Sequence, residues 1–470
     1  MTEKEEFQKT CNVIPDGVQT LSKMPCRHVE GVYPFYIERG EGPYIFDGEG
    51  KKYIDYPCGL GTILLGHNIE YVNQAIRSQL KKGILFPLPS RLETQLAEKI
   101  VELIPCAEMV RFVKTGSEAT SAAIKIARTY TDRQNVLCCG YHGWHDWYNI
   151  TTPINTGVPD CYKNLISRFT YNDIGSLKTQ LNKDTAAVIL EPYIYESPKG
   201  SFLEQVIKIA HENGSLVIFD EMVTGLRTIH GSAQAFFSVK PDIACFGKSW
   251  ANGLPLAYVC GTRTVMESLQ RCFVSSTFGG ELLSIAAAIA TIEFWQKFGV
   301  ADYIWEMGNI LIREYKNIAK KYNLNTSISG LPCRTFLNFP TEEHKSLFWQ
   351  ECLKRGVFLG YAQFVSYAHD ITVINRTIAV MEESLAICQQ AWDEPGKILK
   401  GKTAQATLRH KVFEKENKND EHKRGSAVGI NKRGRPNRSG SSEQFDGSPE
   451  NTLSTDPGRS IAISEGTSNQ

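Results

Sequence analysis

Between residues 109 and 246 the chain repeats one pattern: a short, unbroken apolar run, then a stretch of helical periodicity. The runs are Met109-Val110-Arg111-Phe112-Val113, Ala187-Val188-Ile189-Leu190, Leu216-Val217-Ile218-Phe219 and Ile243-Ala244-Cys245-Phe246. They are continuous instead of alternating, as expected of strands covered on both faces. Between them, Ala119 to Tyr130 places Ala122, Ala123, Ile126, Ala127 and Tyr130 on one helical stripe. Strand–helix alternation of this kind predicts an α/β fold with a mostly parallel sheet. Two early β-rich segments, Pro43 to Asp47 and Lys52 to Tyr56, and the stretch from 310 to 395 read as a separate α+β unit.

Composition narrows the class. The 470 residues carry 52 Lys+Arg against 51 Asp+Glu, so general nucleic-acid or membrane-surface binding, which rests on clustered cations, is not expected. There are 13 cysteines but no Cys-x-x-Cys pair, which argues against a zinc or thioredoxin-type site. The start is charged with no apolar core behind it, and the richest apolar stretch, Leu282 to Ile292, is too short to cross a bilayer. A cytoplasmic, reduced protein is expected. From Glu414 to Gln470 only 8 of 57 residues are apolar, and such a segment is predicted to be disordered. Within it, Lys432-Arg433-Gly434-Arg435-Pro436-Asn437-Arg438 is similar to a minor-groove DNA hook.

Ligands of open α/β sheets collect beyond the carboxyl ends of the strands, and four such ends carry chemistry. After the first run, Lys114-Thr115-Gly116-Ser117-Glu118 has capping-box spacing. Gly116 and Ser117 would then offer free N–H groups, and Ser117 a hydroxyl, to a phosphate. The second is Gly140-Tyr141-His142-Gly143-Trp144-His145, where Tyr141 suits a stacked ring. No carboxylate or Cys cluster completes a ligand set around His142 and His145, so no metal is expected. The third leaves Asp220 at the end of an apolar strand, where a buried carboxylate needs a cationic partner. The fourth puts Lys248 at the mouth of another, where poor solvation favours the neutral, nucleophilic amine. Singly, each is also what an ordinary turn, a structural ion pair or a snorkelling lysine would show. Together they supply what pyridoxal 5′-phosphate needs: a phosphate cradle, a stacking plate, a partner for the ring nitrogen and an amine for a Schiff base.

At these residues the chain resembles the class III pyridoxal-phosphate aminotransferases, and among them the glutamate-1-semialdehyde aminomutase-like branch. The similarity runs over residues 10 to 395. It includes Tyr44 to Gly50, Leu65-Gly66-His67, Lys114 to Ala119, Tyr141-His142-Gly143, Asp220 to Arg227, Gly247-Lys248 through Pro255, and Ser276 to Gly280. The resemblance implies fold type I: a large domain (71–305) around a mostly parallel seven-stranded sheet, and a smaller α+β domain drawn from both termini (1–70 and 306–395). Residues 396–470 would form a tail. It further implies that Lys248 holds the cofactor and shuttles the proton, and that Asp220 keeps the ring nitrogen protonated. Tyr141 and Met222 would lie against the two ring faces. Thr115, Gly116, Ser117, His142 and Glu191 would complete the cofactor site, with Thr277 supplied by a second chain, so a homodimer is implied.

Several positions depart from that branch. Gly59-Leu60-Gly61 stands where the aminomutase has Ser-Trp-Gly, which removes an aromatic from the substrate pocket. Lys114, Glu196 and Glu281 add charge and are candidate substrate contacts, pointing to a polar, sugar- or polyol-like substrate. Arg334 and Arg376 are candidates for a carboxylate-binding arginine. The expected activity is amino transfer, from glutamate to a keto or aldehyde acceptor by a ping-pong route. An aminomutase is the alternative, and a non-catalytic protein with a DNA-contacting tail the second alternative.

Overall fold

The computed structural model describes residues 2–406. The segment read as disordered from 414, and the basic hook within it, lie outside the described residues. In chain order the first strands are β1 (Ile37–Glu41), β2 (Tyr44–Asp47) and β3 (Lys52–Asp55). Then come β4 (Met109–Val113), β5 (Asn135–Cys139), β6 (Ile166–Arg168), β7 (Thr185–Leu190), β8 (Leu216–Asp220), β9 (Ile243–Phe246) and β10 (Ala257–Gly261). The last are β11 (Ser327–Leu331), β12 (Arg334–Asn338), β13 (Val357–Phe358) and β14 (Gln363–Phe364).

Strands β4 to β10 form one seven-stranded sheet in the order β4-β10-β9-β8-β7-β5-β6. Pairing is parallel from β9 through β8, β7 and β5 to β6, while β10 runs antiparallel to both β9 and β4. The continuous runs of the sequence are two-faced. Leu137, Val188, Val217, Phe219, Ala244 and Phe246 bury into one apolar cluster, which also holds the helix Leu282–Lys297. Their neighbours Val136, Cys138, Ala187, Ile189, Ile218 and Cys245 bury into another, together with Ala119, Ala123, Ile126 and Ala127 of the helix Gly116–Thr131. Burial on both faces is what excludes polar residues from these strands.

One strand differs from the sequence reading. Met109–Val113 is an edge strand with Arg111 exposed, not a strand covered on both faces, because β10 takes the place beside β9. The early and late segments share a sheet, β1-β2-β3-β13, in which β3 and β13 are parallel. A further cluster joins Tyr33, Ile45, Tyr53 and Ile54 to Phe348, Trp349, Val357 and Leu385. The chain beyond 396 stays packed as far as it is described: Ala404 is buried, and Lys402 and Gln405 donate backbone hydrogen bonds to Glu30 and Cys26. No described helix is long and apolar enough to cross a membrane. Most of the thirteen cysteines are buried.

Candidate active site

The carboxyl ends of β4, β5, β7, β8 and β9 share one edge of the large sheet, and a cavity of about 180 Å³ opens there. The turn after β4 supplies Gly116 and Ser117, and that after β5 supplies Tyr141, His142 and Gly143. Glu191 enters from β7, Asp220, Met222 and Val223 from β8, and Lys248 from β9. Four separately weak turns therefore converge on one space.

One end is a helix N-terminus. The Thr115 hydroxyl accepts from Glu118 N–H at 3.3 Å, and the Glu118 carboxylate accepts from the N–H groups of Lys114 and Thr115, each at 2.8 Å. This closed capping box leaves the N–H groups of the first turn facing the cavity, with the positive end of the helix dipole behind them. Ser117 Oγ accepts from Trp144 N–H at 3.2 Å, so its own proton can be donated to a ligand oxygen. Gly143 makes this approach possible: at φ +106°, a Cβ added there would lie 2.2 Å from Ser117 Oγ.

The walls are built from Tyr141 and Met222. The Tyr141 backbone N–H donates to Glu191 Oε1 at 2.8 Å, and its ring meets Tyr148 edge-on at 5.6 Å. The Met222 sulfur packs where side chains at Gly116 and Gly247 would otherwise sit; a Cβ at Gly247 would be 2.8 Å from Sδ. The flexible thioether thus fills the gap between the helix start and the Lys248 turn.

Asp220 ends β8 with its side chain 3% exposed. Oδ1 accepts from Met222 N–H at 3.1 Å, and Oδ2 lies 2.8 Å from His142 Nδ1. His142 Nε2 lies 3.1 Å from the Cys139 carbonyl oxygen, which can only accept. Nε2 faces that acceptor while Nδ1 faces the carboxyl, so the ring is held between strand β5 and Asp220. The histidine is a brace for the acid. Lys248 follows Gly247 with φ 52°, a left-handed conformation that a non-glycine residue adopts at a cost and that clusters at functional sites. The neighbouring Glu221 lies behind the cavity: burial raises its pKa, against hydrogen bonds from Gln234, Ala233 and Thr224.

Other expected site residues lie elsewhere. Lys114 Nζ pairs with Glu281 at 2.9 Å and with Ser284 Oγ at 3.2 Å. Glu281 caps the helix Leu282–Lys297; burial pushes its carboxyl up, but Ser284, Lys114 and Leu283 outweigh that and hold it below the ordinary range. Glu196 accepts from Asn172 at 3.0 Å and pairs with Lys199 at 3.4 Å. None of these three lines the cavity, because each extra charge has found a local partner. Thr115 serves as the cap instead of a lining residue, and Thr277 lies exposed on the 276–280 loop. Arg376 is exposed on the helix Ile371–Gln390, whereas Arg334 is buried. Val223 was not foreseen: the sequence does not tell which residues of the turn after Asp220 face inward.

A parallel sheet with catalytic-type side chains converging at its carboxyl edge, a lysine and a buried acid among them, defines a fold type I transferase. The chain belongs to the class-III aminotransferase family, whose profile matches residues 27–386. It is 34% identical over 399 residues to the 3-aminobutyryl-CoA aminotransferase of Cloacimonas acidaminovorans, covering 81% of this chain and 95% of that one. It is 35% identical over 409 residues to the glutamate-1-semialdehyde 2,1-aminomutase of Methanothrix thermoacetophila, covering 79% and 94%. Among solved structures, the FumI protein of Sphingopyxis sp. MTA144 superposes with a TM-score of 0.80 at 26% identity, over 84% of this chain and 99% of that chain. An omega-transaminase from Sphaerobacter thermophilus, at 22% identity and a TM-score of 0.75, shares the fold over 82% and 97%. The residues around the cavity fit pyridoxal 5′-phosphate, the cofactor of this family: a helix N-terminus for the phosphate, a tyrosine for the ring, an acid and an amine.

Proposed function

We propose that this enzyme is an aminotransferase that takes an amino group from a donor such as glutamate and delivers it to a keto or aldehyde acceptor. The observation that carries the reading is the meeting of Lys248, Asp220 and the N-terminus of the helix Gly116–Thr131 in one cavity. Pyridoxal 5′-phosphate supplies, when bound, an electron sink for negative charge on the substrate carbon. Gly116 and Ser117 hold its phosphate, and Tyr141 and Met222 confine its ring. Asp220 holds a proton at the ring nitrogen and cannot turn away, since both of its oxygens are fixed. Lys248 Nζ anchors the cofactor, then accepts a proton from the substrate carbon and returns it on the other side of the transfer. Donor and acceptor visit one site in turn, so the kinetics are ping-pong.

A second chain supports the same reading. Leu88, Phe273 and Phe278 are 76%, 80% and 58% exposed, and the latter two flank Thr277 on either side in sequence. These residues would be covered in a homodimer in which Thr277 reaches the partner's phosphate site. A sugar- or polyol-like acceptor, expected from Lys114, Glu196 and Glu281, is the narrower form of this reading, and the partners those three side chains have taken locally lend it no support. The aminomutase is the second reading, favoured by the 35% identity to the Methanothrix enzyme. Leu60 in place of an aromatic weighs against it. Initial rates at several fixed glutamate concentrations, with a 2-keto acid varied, should give parallel lines. Intersecting lines would refute the two-stage route, and isomerisation of glutamate 1-semialdehyde with no donor present would restore the aminomutase.

A further inference from the structure

Two of the charged departures in the sequence, Lys114 and Glu281, have no place in the chemistry above, yet they meet each other. Lys114 Nζ lies 2.9 Å from Glu281 Oε2 and 3.2 Å from Ser284 Oγ, and the paired side chains are 14% and 15% exposed. Ser284 Oγ donates to the same carboxylate oxygen at 2.7 Å. The N–H groups of Leu283 and Ser284 donate to the carboxylate at 2.7 and 3.2 Å. An acid held by a lysine, a hydroxyl and two backbone donors, with little water around it, keeps one geometry in a way that an exposed surface pair does not.

Each end of the pair leads to a different part of the site. Lys114 follows β4 and precedes the helix whose N-terminus faces the cavity, and its own N–H donates to Glu118 Oε2 of the capping box at 2.8 Å. Glu281 follows the 276–280 loop at once and caps the helix Leu282–Lys297. The root of that loop has little room to shift. A Cβ added at Gly279 would lie 2.7 Å from the Phe112 carbonyl oxygen near the end of β4, and one at Gly280 would lie 2.9 Å from Glu93 Oε2. Leu282 N–H donates to Ile84 O at 2.9 Å, where the exposed apolar stretch that ends at Leu88 begins. Ahead of these fixed points, Thr277 and Phe278 stand exposed.

The loop is thus anchored on the phosphate-binding turn of its own chain, while its tip is left to solvent. Nothing local requires the ion pair for this. Glu281 caps its helix through backbone donors, and Glu118 holds the Lys114 backbone whatever side chain stands there. What the pair adds is a fixed distance between the start of the helix Gly116–Thr131 and the root of the loop. In a homodimer with shared sites, that distance decides where the Thr277 hydroxyl arrives beside the second chain's phosphate cradle. A misplacement of about 1 Å is enough to spoil such a contact.

We propose that the Lys114–Glu281 pair is a positioning latch that acts across the dimer: in each chain it sets the 276–280 loop, and through that loop the grip on cofactor phosphate in the other chain's site. This rests on the homodimer in the reading above and deepens it. The test uses mixed dimers made by co-expressing two differently tagged full-length chains. One chain carries Lys248→Ala, so borohydride fixes cofactor on the other, the reporter, alone. Adduct on the reporter, read by mass spectrometry as pyridoxal 5′-phosphate is titrated into the cofactor-free dimer, gives the affinity of one site. Lys114→Met placed on the Lys248→Ala chain should weaken the reporter site roughly 3- to 30-fold, the worth of a coupling carried through one packed element. The same change on the reporter chain should weaken it less. Glu281→Gln should act in the same direction across the dimer, and Lys114→Arg, which keeps the ion pair, should recover most of the affinity. Thr277→Ala on the Lys248→Ala chain separates the latch from the shared site. If it weakens the reporter site and Lys114→Met does not, or if Lys114→Met acts mainly on its own chain, the latch is overturned and the shared site stands. If Thr277→Ala has no effect on the reporter, or no mixed dimer forms, the shared site falls and the latch falls with it.

Discussion

Lys248 and Asp220 reach the same cavity from adjacent strands, each placed by a backbone feature that its neighbours enforce. Lys248→Ala should slow turnover by on the order of 10²- to 10⁴-fold, the usual worth of a positioned proton-transfer group. Borohydride should then fail to fix cofactor mass to the chain, read by mass spectrometry. A different prediction concerns acid. Burial holds the His369 pKa down at about 4, and the Ser366 N–H and hydroxyl lie 3.1 and 2.7 Å from its Nδ1. Burial likewise brings His28 to about 4. Between pH 6.5 and 4 the unfolded chain binds protons at these sites and the folded chain does not, so stability falls as pH falls through that window. Urea unfolding should show this decline, and His369→Gln should flatten it by up to about 1.4 kcal/mol per pH unit. At this scale the sequence was most readable for groups whose chemistry is tied to a strand end: Asp220, Lys248, Tyr141 and Ser117. It was least readable for Lys114, Glu196 and Glu281, whose charges are quenched by partners such as Ser284 and Asn172 that no local pattern announces. Lys114 and Glu281 were visible as letters, but their pairing with each other is a property of the packed molecule.

Secondary-structure elements show the same division. The helix Gly116–Thr131 begins at the capping box that Thr115 and Glu118 predict, because a cap is a contact between residues three apart. Strand β10 escaped, since Ala257–Gly261 has no partner near it in sequence and its antiparallel insertion displaces β4 to the edge. The junction of two elements also gives a prediction. Gly143→Ala would drive a methyl group into Ser117 Oγ and strain a backbone at φ +106°. Cofactor affinity, measured by equilibrium dialysis against the cofactor-free protein, should fall at least about tenfold, whereas the same change at Gly48, where nothing lies within 4 Å and the backbone is not left-handed, should leave affinity alone.

For the molecule as a whole, the proposed homodimer would cover Leu88, Phe273 and Phe278, which the single chain leaves exposed. Sedimentation should give a dimer for the wild type, and Leu88→Glu together with Phe278→Glu should yield monomers with little activity, since Thr277 would no longer meet a second chain's site. The small sheet carries another consequence. Strand β3 is complete by residue 55, but its parallel neighbour β13 begins only at residue 357. At ribosomal speeds of about 5–20 residues per second, the intervening 300 or so residues take roughly 15–60 s to emerge. Throughout that interval β3 can pair with β2 on one edge only, and its open edge, with Tyr53 and Ile54 still waiting for their late-made core neighbours, is where a chaperone's shelter counts most.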